Sequence, residues 1–278
     1  MYVNQILRER RSTPLIAFGL LAFGISWGVW IPLVLASQGL IALPLSPTLL
    51  TLIGAFGPSL AALLLKATTE QWAGVRRLLG RLLIWRVGLQ WYLVVLAWPA
   101  VLSLLTTAVH VIVGQPAPDF THPPLLDVYP LPPEMAAAGW TLLVPLIFVQ
   151  QLLLSSPMGE EIGWRGYTLP RLQTRTSPLV ASIVLGLIWS VWHLPLYLTP
   201  GHPLANQFFG WLPLGLIPTT ILFTWVFNHT RGSLLLALLF HAAINITDLF
   251  LARTATLPLI SPVLTWLVAL LVVRLGDL

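Results

Sequence analysis

Long apolar runs separated by short polar stretches organise this chain. A run of about 20 apolar residues can cross the roughly 30 Å hydrocarbon layer of a bilayer as a helix. Eight such runs are legible: 14–36, 48–65, 87–113, 136–156, 178–198, 211–227, 233–251 and 257–273. No charge interrupts Ser12 to Leu65, so the first two runs read as spans joined by a turn holding Pro44 and Pro47. Pro99 predicts a kink in the third. The pattern predicts an all-α polytopic membrane protein, about eight transmembrane helices around a cavity open to the cytoplasm. A single domain over 1–278 is expected.

Composition sharpens this. Of 278 residues, 57% are hydrophobic and only 8% are charged, against about 25% charged in a soluble globular protein. Mean hydropathy is +0.86. A soluble fold and a disordered chain are both excluded, the latter because disorder needs low hydrophobicity and high charge. Cysteine is absent, which removes disulfides, thiolate metal sites and a cysteine nucleophile. The first apolar run lacks a small-residue cleavage site, so no cleavable signal is expected.

The net charge of +5 does not point to nucleic acid. That function needs cations clustered on one face, and these fall at the ends of apolar runs. The positive-inside rule gives them a topology. Arg8, Arg10 and Arg11, then Lys66, Arg76, Arg77, Arg81 and Arg86, then Arg165, Arg171 and Arg175, and finally Arg231 and Arg274 fall on one side. Only Arg253 falls opposite, where 114–135 carries Asp119, Asp127 and Glu134 with no Lys or Arg. Both termini are therefore expected in the cytoplasm and the protein in the cell membrane. Segment 70–86 sets Arg76, Arg77 and Arg81 among leucines at helical spacing, as in an interfacial helix on anionic lipid. Gripping an anionic substrate is the alternative. No internal repeat is visible, which disfavours an inverted-repeat carrier.

Ionisable groups at membrane depth are costly and mark function. Glu160 and Glu161 follow the fourth run, and Arg165 shares a helix face with Glu161 at i,i+4. Glu160 points about 100° away and is left for chemistry. His193 ends the fifth run, while His241 and Asn245 share one face of the seventh. Together they supply a carboxylate base, imidazoles to orient water and an amide donor for an oxyanion. These depths converge only if the helix bearing Glu160 runs deeper than its apolar run suggests, or if the fifth span begins below the membrane. His110, His122 and His202 read as interfacial or structural. His229 reads as a cap or a border of the site mouth, and Asp248 as a rim carboxylate or a supporting partner. Gly163 and Gly166 predict close helix approach.

The segments MGEEIGWRGYTLPRLQ, GLIWSVWHLPLYL and LLFHAAIN resemble the three signatures of the CPBP family of intramembrane proteases, which includes CAAX prenyl endopeptidases and bacteriocin-processing enzymes. The signature-bearing core is about 136–251. Trp189 stands where the general pattern has Phe. The resemblance implies an intramembrane endopeptidase in which Glu160 activates water with help from His193. Glu161 and Arg165 would hold local structure, and His241 and Asn245 would stabilise the oxyanion. No metal is favoured, since the HExxH spacing is missing. Zinc is the alternative cofactor, with Glu160, His193 and His241 as ligands. The implied partners are a peptide or protein substrate in or near the membrane and the bilayer itself, with no nucleic acid. A proteolytically silent immunity or scaffold protein of the same fold is the rival reading, and a proton-coupled carrier a weaker one.

Overall fold

The computed structural model describes residues 15–128, 139–205, 207–251, 258–275 and 278. Arg8, Arg10, Arg11, Glu134, Arg253 and the starts of the fourth and eighth apolar runs lie outside them. Among the described residues the fold is entirely helical. The order is α1 Leu15–Ser37, α2 Pro47–Ala55, α3 Gly57–Gly80, α4 Leu89–Ile112, α5 Trp140–Leu154, α6 Ser156–Glu161, α7 Leu169–Gln173, α8 Pro178–Trp192, α9 Leu194–Tyr197, α10 Trp211–His229, α11 Leu234–Phe250 and α12 Ile260–Leu275. A 3₁₀ turn Arg81–Leu83 follows α3, a single turn Leu125–Val128 follows α4, and a π segment Ile162–Thr168 joins α6 to α7.

Five stretches are long and apolar enough to cross a membrane: Leu15–Ser37, Pro47–Leu83, Leu89–Ile112, Thr141–Gln173 and Trp211–His229. The chain is a multi-pass membrane protein. The remaining apolar runs fall on α8, α11 and α12, which have 15, 17 and 16 residues. At 1.5 Å per residue each reaches only about 24 Å, less than the hydrocarbon thickness. The sequence expectation of about eight spans therefore becomes eight apolar helical stretches, five of full spanning length.

Local sequence explains where helices start. Ser46, Ser177 and Ser233 are N-caps, each accepting a backbone N–H three residues on, from Leu49, Val180 and Leu236. Pro47 and Pro178 occupy first-turn positions that need no N–H. Packing follows from stripes of small and aromatic residues. Along α1, Phe18, Ala22, Ser26, Trp30 and Leu33 face inward, while Ile16 and Leu20 are 74% and 72% exposed on the lipid side. A Cβ at Gly57 of α3 would strike Ser26 Oγ and come within 2.8 Å of the Ala22 carbonyl, so the two backbones meet here.

The segment 70–86, expected as an interfacial helix, is joined directly to the second span. The chain continues through α3 with one break at Gln71, whose φ of 54° and ψ of −160° redirect the axis. The basic, amphipathic part is thus the continuation of a spanning helix past a kink.

Candidate active site

The helical stretch does not end with the fourth apolar run. The chain leaves helix at Ser155 (φ −131°, ψ −166°) and restarts as α6, with Pro157 in its first turn. The π segment then carries it on, and residues 162–172 are all buried. Glu160 and Glu161 consequently sit inside a 33-residue helical stretch and not at its end. This stretch brings Glu160 against Trp189 of α8 and Glu161 against His241 of α11. Glycines let the segment seat itself against α2 and α3. A Cβ at Gly159 would lie 2.6 Å from the Ala55 carbonyl oxygen, and one at Gly163 would strike the Pro58 backbone. Ser59 Oγ donates to the Met158 carbonyl at 2.8 Å. We expect Gly159→Ala to cost about 1–3 kcal/mol of stability, because backbone cannot yield as a side chain can. Gly24→Ala, with nothing within 4 Å of its Cβ, is expected to leave the melting temperature unchanged.

Glu161 is the hub. It is fully buried; its Oε1 accepts from Arg165 Nη1 at 2.9 Å and lies 2.7 Å from His241 Nδ1. The Glu161–Arg165 pair joins residues one turn apart, and the Glu161–His241 contact crosses from α6 to α11. The Arg165 guanidinium lies in the corner between two perpendicular rings, its carbon 4.2 Å from the Trp189 ring centroid and 3.9 Å from that of Phe223. Aromatic faces thereby cover a cation that has a single carboxylate partner among the described residues.

Glu160, 3% exposed, turns the other way. Its Oε2 accepts the Trp189 indole N–H at 2.6 Å. Trp189 also links Glu160 to His193, because the Trp189 carbonyl receives His193 Nδ1 at 2.8 Å. That bond fixes the proton on Nδ1 and leaves Nε2 as an acceptor in the neutral ring. Among the described residues no hydrogen bond joins Glu160 to His193 directly; they meet through Trp189. Asn245 Nδ2 donates to Ser156 Oγ at 2.9 Å and to Gln151 Oε1 at 3.1 Å, while His241 Nε2 lies 3.5 Å from the same Ser156 Oγ.

Trp189, Ser156 and Gln151 are thus three members of this centre to which sequence reasoning gave no role. The signal for two of them was present: Gln151 and Ser156 are polar positions at the end of an apolar run. Trp189 lay in view as an aromatic residue four before His193, but its N–H donor was not counted. Arg165 and Arg171, placed by the charge pattern in a cytoplasmic loop, are buried (0% and 4% exposed), and so are Lys66 and Arg81 (4% and 7%).

The lesser histidines separate from this centre. His229 packs against the contacting pair Trp91 and Trp225, with ring centroids at 5.2 and 5.9 Å. His202 lies in the loop before α10, where burial pushes it down to about 4 and its neutral Nδ1 accepts the Leu204 N–H at 3.2 Å. Among the described residues no three His, Asp or Glu side chains gather as a metal-ligand set. Their bonds to Trp189 and Glu161 engage Glu160 Oε2 and the Nδ1 atoms of His193 and His241, so Glu160 Oε1 and the two Nε2 atoms are the ones that would meet a zinc ion.

A buried, hydrogen-bonded cluster of carboxylates, imidazoles and one guanidinium within the spans of an all-helical chain defines an integral membrane protein with a polar centre. Residues 139–247 match the family described as Type II CAAX prenyl endopeptidase Rce1-like. All six residues singled out for the site lie within that match. A CAAX prenyl protease 2 from Methanococcus maripaludis is 37% identical over 132 residues, which is 45% of this chain and 48% of the relative. The chain spans about half the length of that curated relative. Through this region the chain is similar to these CAAX-type proteases.

Proposed function

We propose that the protein is an intramembrane endopeptidase, a single domain oriented with both termini in the cytoplasm, acting on a CAAX-type peptide substrate in or near the membrane. The observation that carries this reading is Glu160: a buried carboxylate aimed by one indole N–H, beside a histidine whose tautomer is fixed. In the proposed reaction Glu160, assisted by His193 Nε2, takes a proton from water. The hydroxide oxygen adds to the scissile carbonyl, and the carbonyl electron pair moves onto oxygen. The Asn245 amide donates to that oxyanion, and His241, with its Nδ1 proton held by Glu161, donates from Nε2 in its doubly protonated form. The tetrahedral intermediate collapses, the C–N bond breaks, and Glu160 returns its proton to the leaving amine. Asn245 already gives both amide protons to Gln151 and Ser156, so it reaches the oxyanion by exchanging one of them. No step is routed through a metal.

Trp189 is assigned as the residue that positions Glu160. Phe at this place, as in the general family pattern, packs but cannot donate. Trp189→Phe is expected to keep the ring contacts to Arg165 and lose the hydrogen bond, lowering kcat about tenfold with KM little changed, since a bond to a charged group contributes about 1.5–3 kcal/mol. An unchanged kcat would remove Trp189 from the mechanism.

The reading is tested with purified protein in proteoliposomes and peptides ending in a CAAX sequence, with and without a prenyl group. Wild type is expected to cleave, and chelator to leave the rate unchanged. His193→Ala and Asn245→Ala are each expected to lose about a hundredfold or more. Loss on chelation with rescue by zinc would overturn direct activation by Glu160.

A further inference from the structure

Away from the polar centre, the 3₁₀ turn and loop that follow α3 and the turn between α10 and α11 line an open pocket of about 390 Å³, formed by Leu83, Ile84, Trp85, Arg86 and Arg231. We propose that this pocket binds the anionic headgroup of a membrane phospholipid, with Arg86 and Arg231 as the phosphate-binding pair.

The lining is amphiphilic in the way such a ligand requires. Leu83 and Trp85 are 78% and 58% exposed, apolar surface suited to acyl chain and glycerol, while both arginines bring guanidinium groups to the same pocket. Among the described residues neither Arg86 nor Arg231 has a carboxylate partner, so the pocket carries uncompensated positive charge. The Arg86 guanidinium lies over the Trp85 ring at 5.0 Å, and Arg231 donates to the Arg86 carbonyl.

The site is built by two separate parts of the chain. Ser233 Oγ donates to the Ile84 carbonyl at 2.7 Å, and Tyr92 OH donates to the Trp85 carbonyl at 2.7 Å. Arg231 sits in the left-handed region at φ 60°, followed by Gly232 at φ 75°. A non-glycine residue there is uncommon and strained, and here it holds the arginine against the Arg86 backbone.

Aromatic surroundings argue for lipid over a soluble anion. Trp85, Trp91, Tyr92, Trp225 and His229 cluster beside the pocket, with Trp91 and Trp225 rings 4.8 Å apart. Trp and Tyr concentrate at the headgroup level of a bilayer. By the charge pattern of the sequence this is the cytoplasmic side, where the leaflet is rich in anionic lipid. The volume suits a glycerophosphate group, within the range of small-ligand pockets.

Native mass spectrometry of the detergent-purified protein, titrated with phosphatidylglycerol or phosphatidylcholine, tests the site. Wild type is expected to retain phosphatidylglycerol preferentially. Arg86→Gln with Arg231→Gln is expected to weaken that binding about thirtyfold, and Arg86→Lys with Arg231→Lys to keep most of it, at an unchanged melting temperature. A third arm adds glycerol phosphate in excess; full displacement of the lipid at equal concentration would make the ligand a soluble phosphate and overturn the lipid assignment. Equal retention of both lipids, or undiminished phosphatidylglycerol binding by the Gln variant, would also overturn it. The readout is binding alone, so it stands or falls separately from peptide cleavage.

Discussion

Glu160→Gln is expected to abolish peptide cleavage, by about a thousandfold or more, while leaving the protein folded. The substitution is nearly isosteric. Its amide oxygen can still accept the Trp189 indole N–H that now reaches Oε2 at 2.6 Å, so the packing of α6 against α8 is preserved. What disappears is the capacity to take a proton from water. Glu160→Ala is a poorer test, because it also orphans the indole N–H in a buried place and adds a structural cost of about 1–3 kcal/mol. Glu160→Asp should fall between, since withdrawing the carboxylate by one methylene misplaces it by more than an ångström, enough to cost about a hundredfold. The checks are the initial rate of peptide release and the melting temperature of each variant. Cleavage by Glu160→Gln within tenfold of wild type would assign the base elsewhere.

The second large effect is on stability. Glu161→Leu is expected to destabilise the protein by about 3–5 kcal/mol, because it strands a fully buried Arg165 without its carboxylate. The same change removes the partner of His241 Nδ1, so activity should fall even in the folded fraction. Arg165→Leu should cost less, since Glu161 keeps its contact with His241 and the aromatic slot between Trp189 and Phe223 accepts an apolar side chain. The double variant should be more stable than the two single effects added together, the signature of a coupled pair. Thermal unfolding in detergent of all four proteins measures this. A Glu161→Leu variant that melts with wild type would show that the pair contributes nothing.

The apolar helices were readable from hydropathy because the bilayer demands long uninterrupted runs, and each run falls on a helix. Their lengths were not, because α8 and α11 start at capped serines, and α8 ends in a short turn at His193, which hydropathy does not register. The Glu161–Arg165 pair follows from i,i+4 spacing alone. The depth of Glu160 does not, because it depends on the break at Ser155 and on a π segment whose extra residue per turn shifts every later side chain. The charge pattern misled for Arg165 and Arg171: a cation beside an apolar run marks a loop in most chains, and only the facing aromatic rings and carbonyls show why these two are buried. Trp189 shows the remaining gap. Its register four before His193 was visible, yet its bond to Glu160 depends on how α8 packs against α6, which no local spacing encodes.

The central claim is that water, activated by Glu160, attacks the peptide bond. A single turnover of a cleavable peptide in heavy-oxygen water tests it most directly. The account predicts heavy oxygen in the newly formed carboxylate of the peptide product and none in the protein fragment containing Glu160. Label appearing on that fragment, with unlabelled first-turnover product, would mean that the carboxylate attacks the substrate itself and would contradict the account.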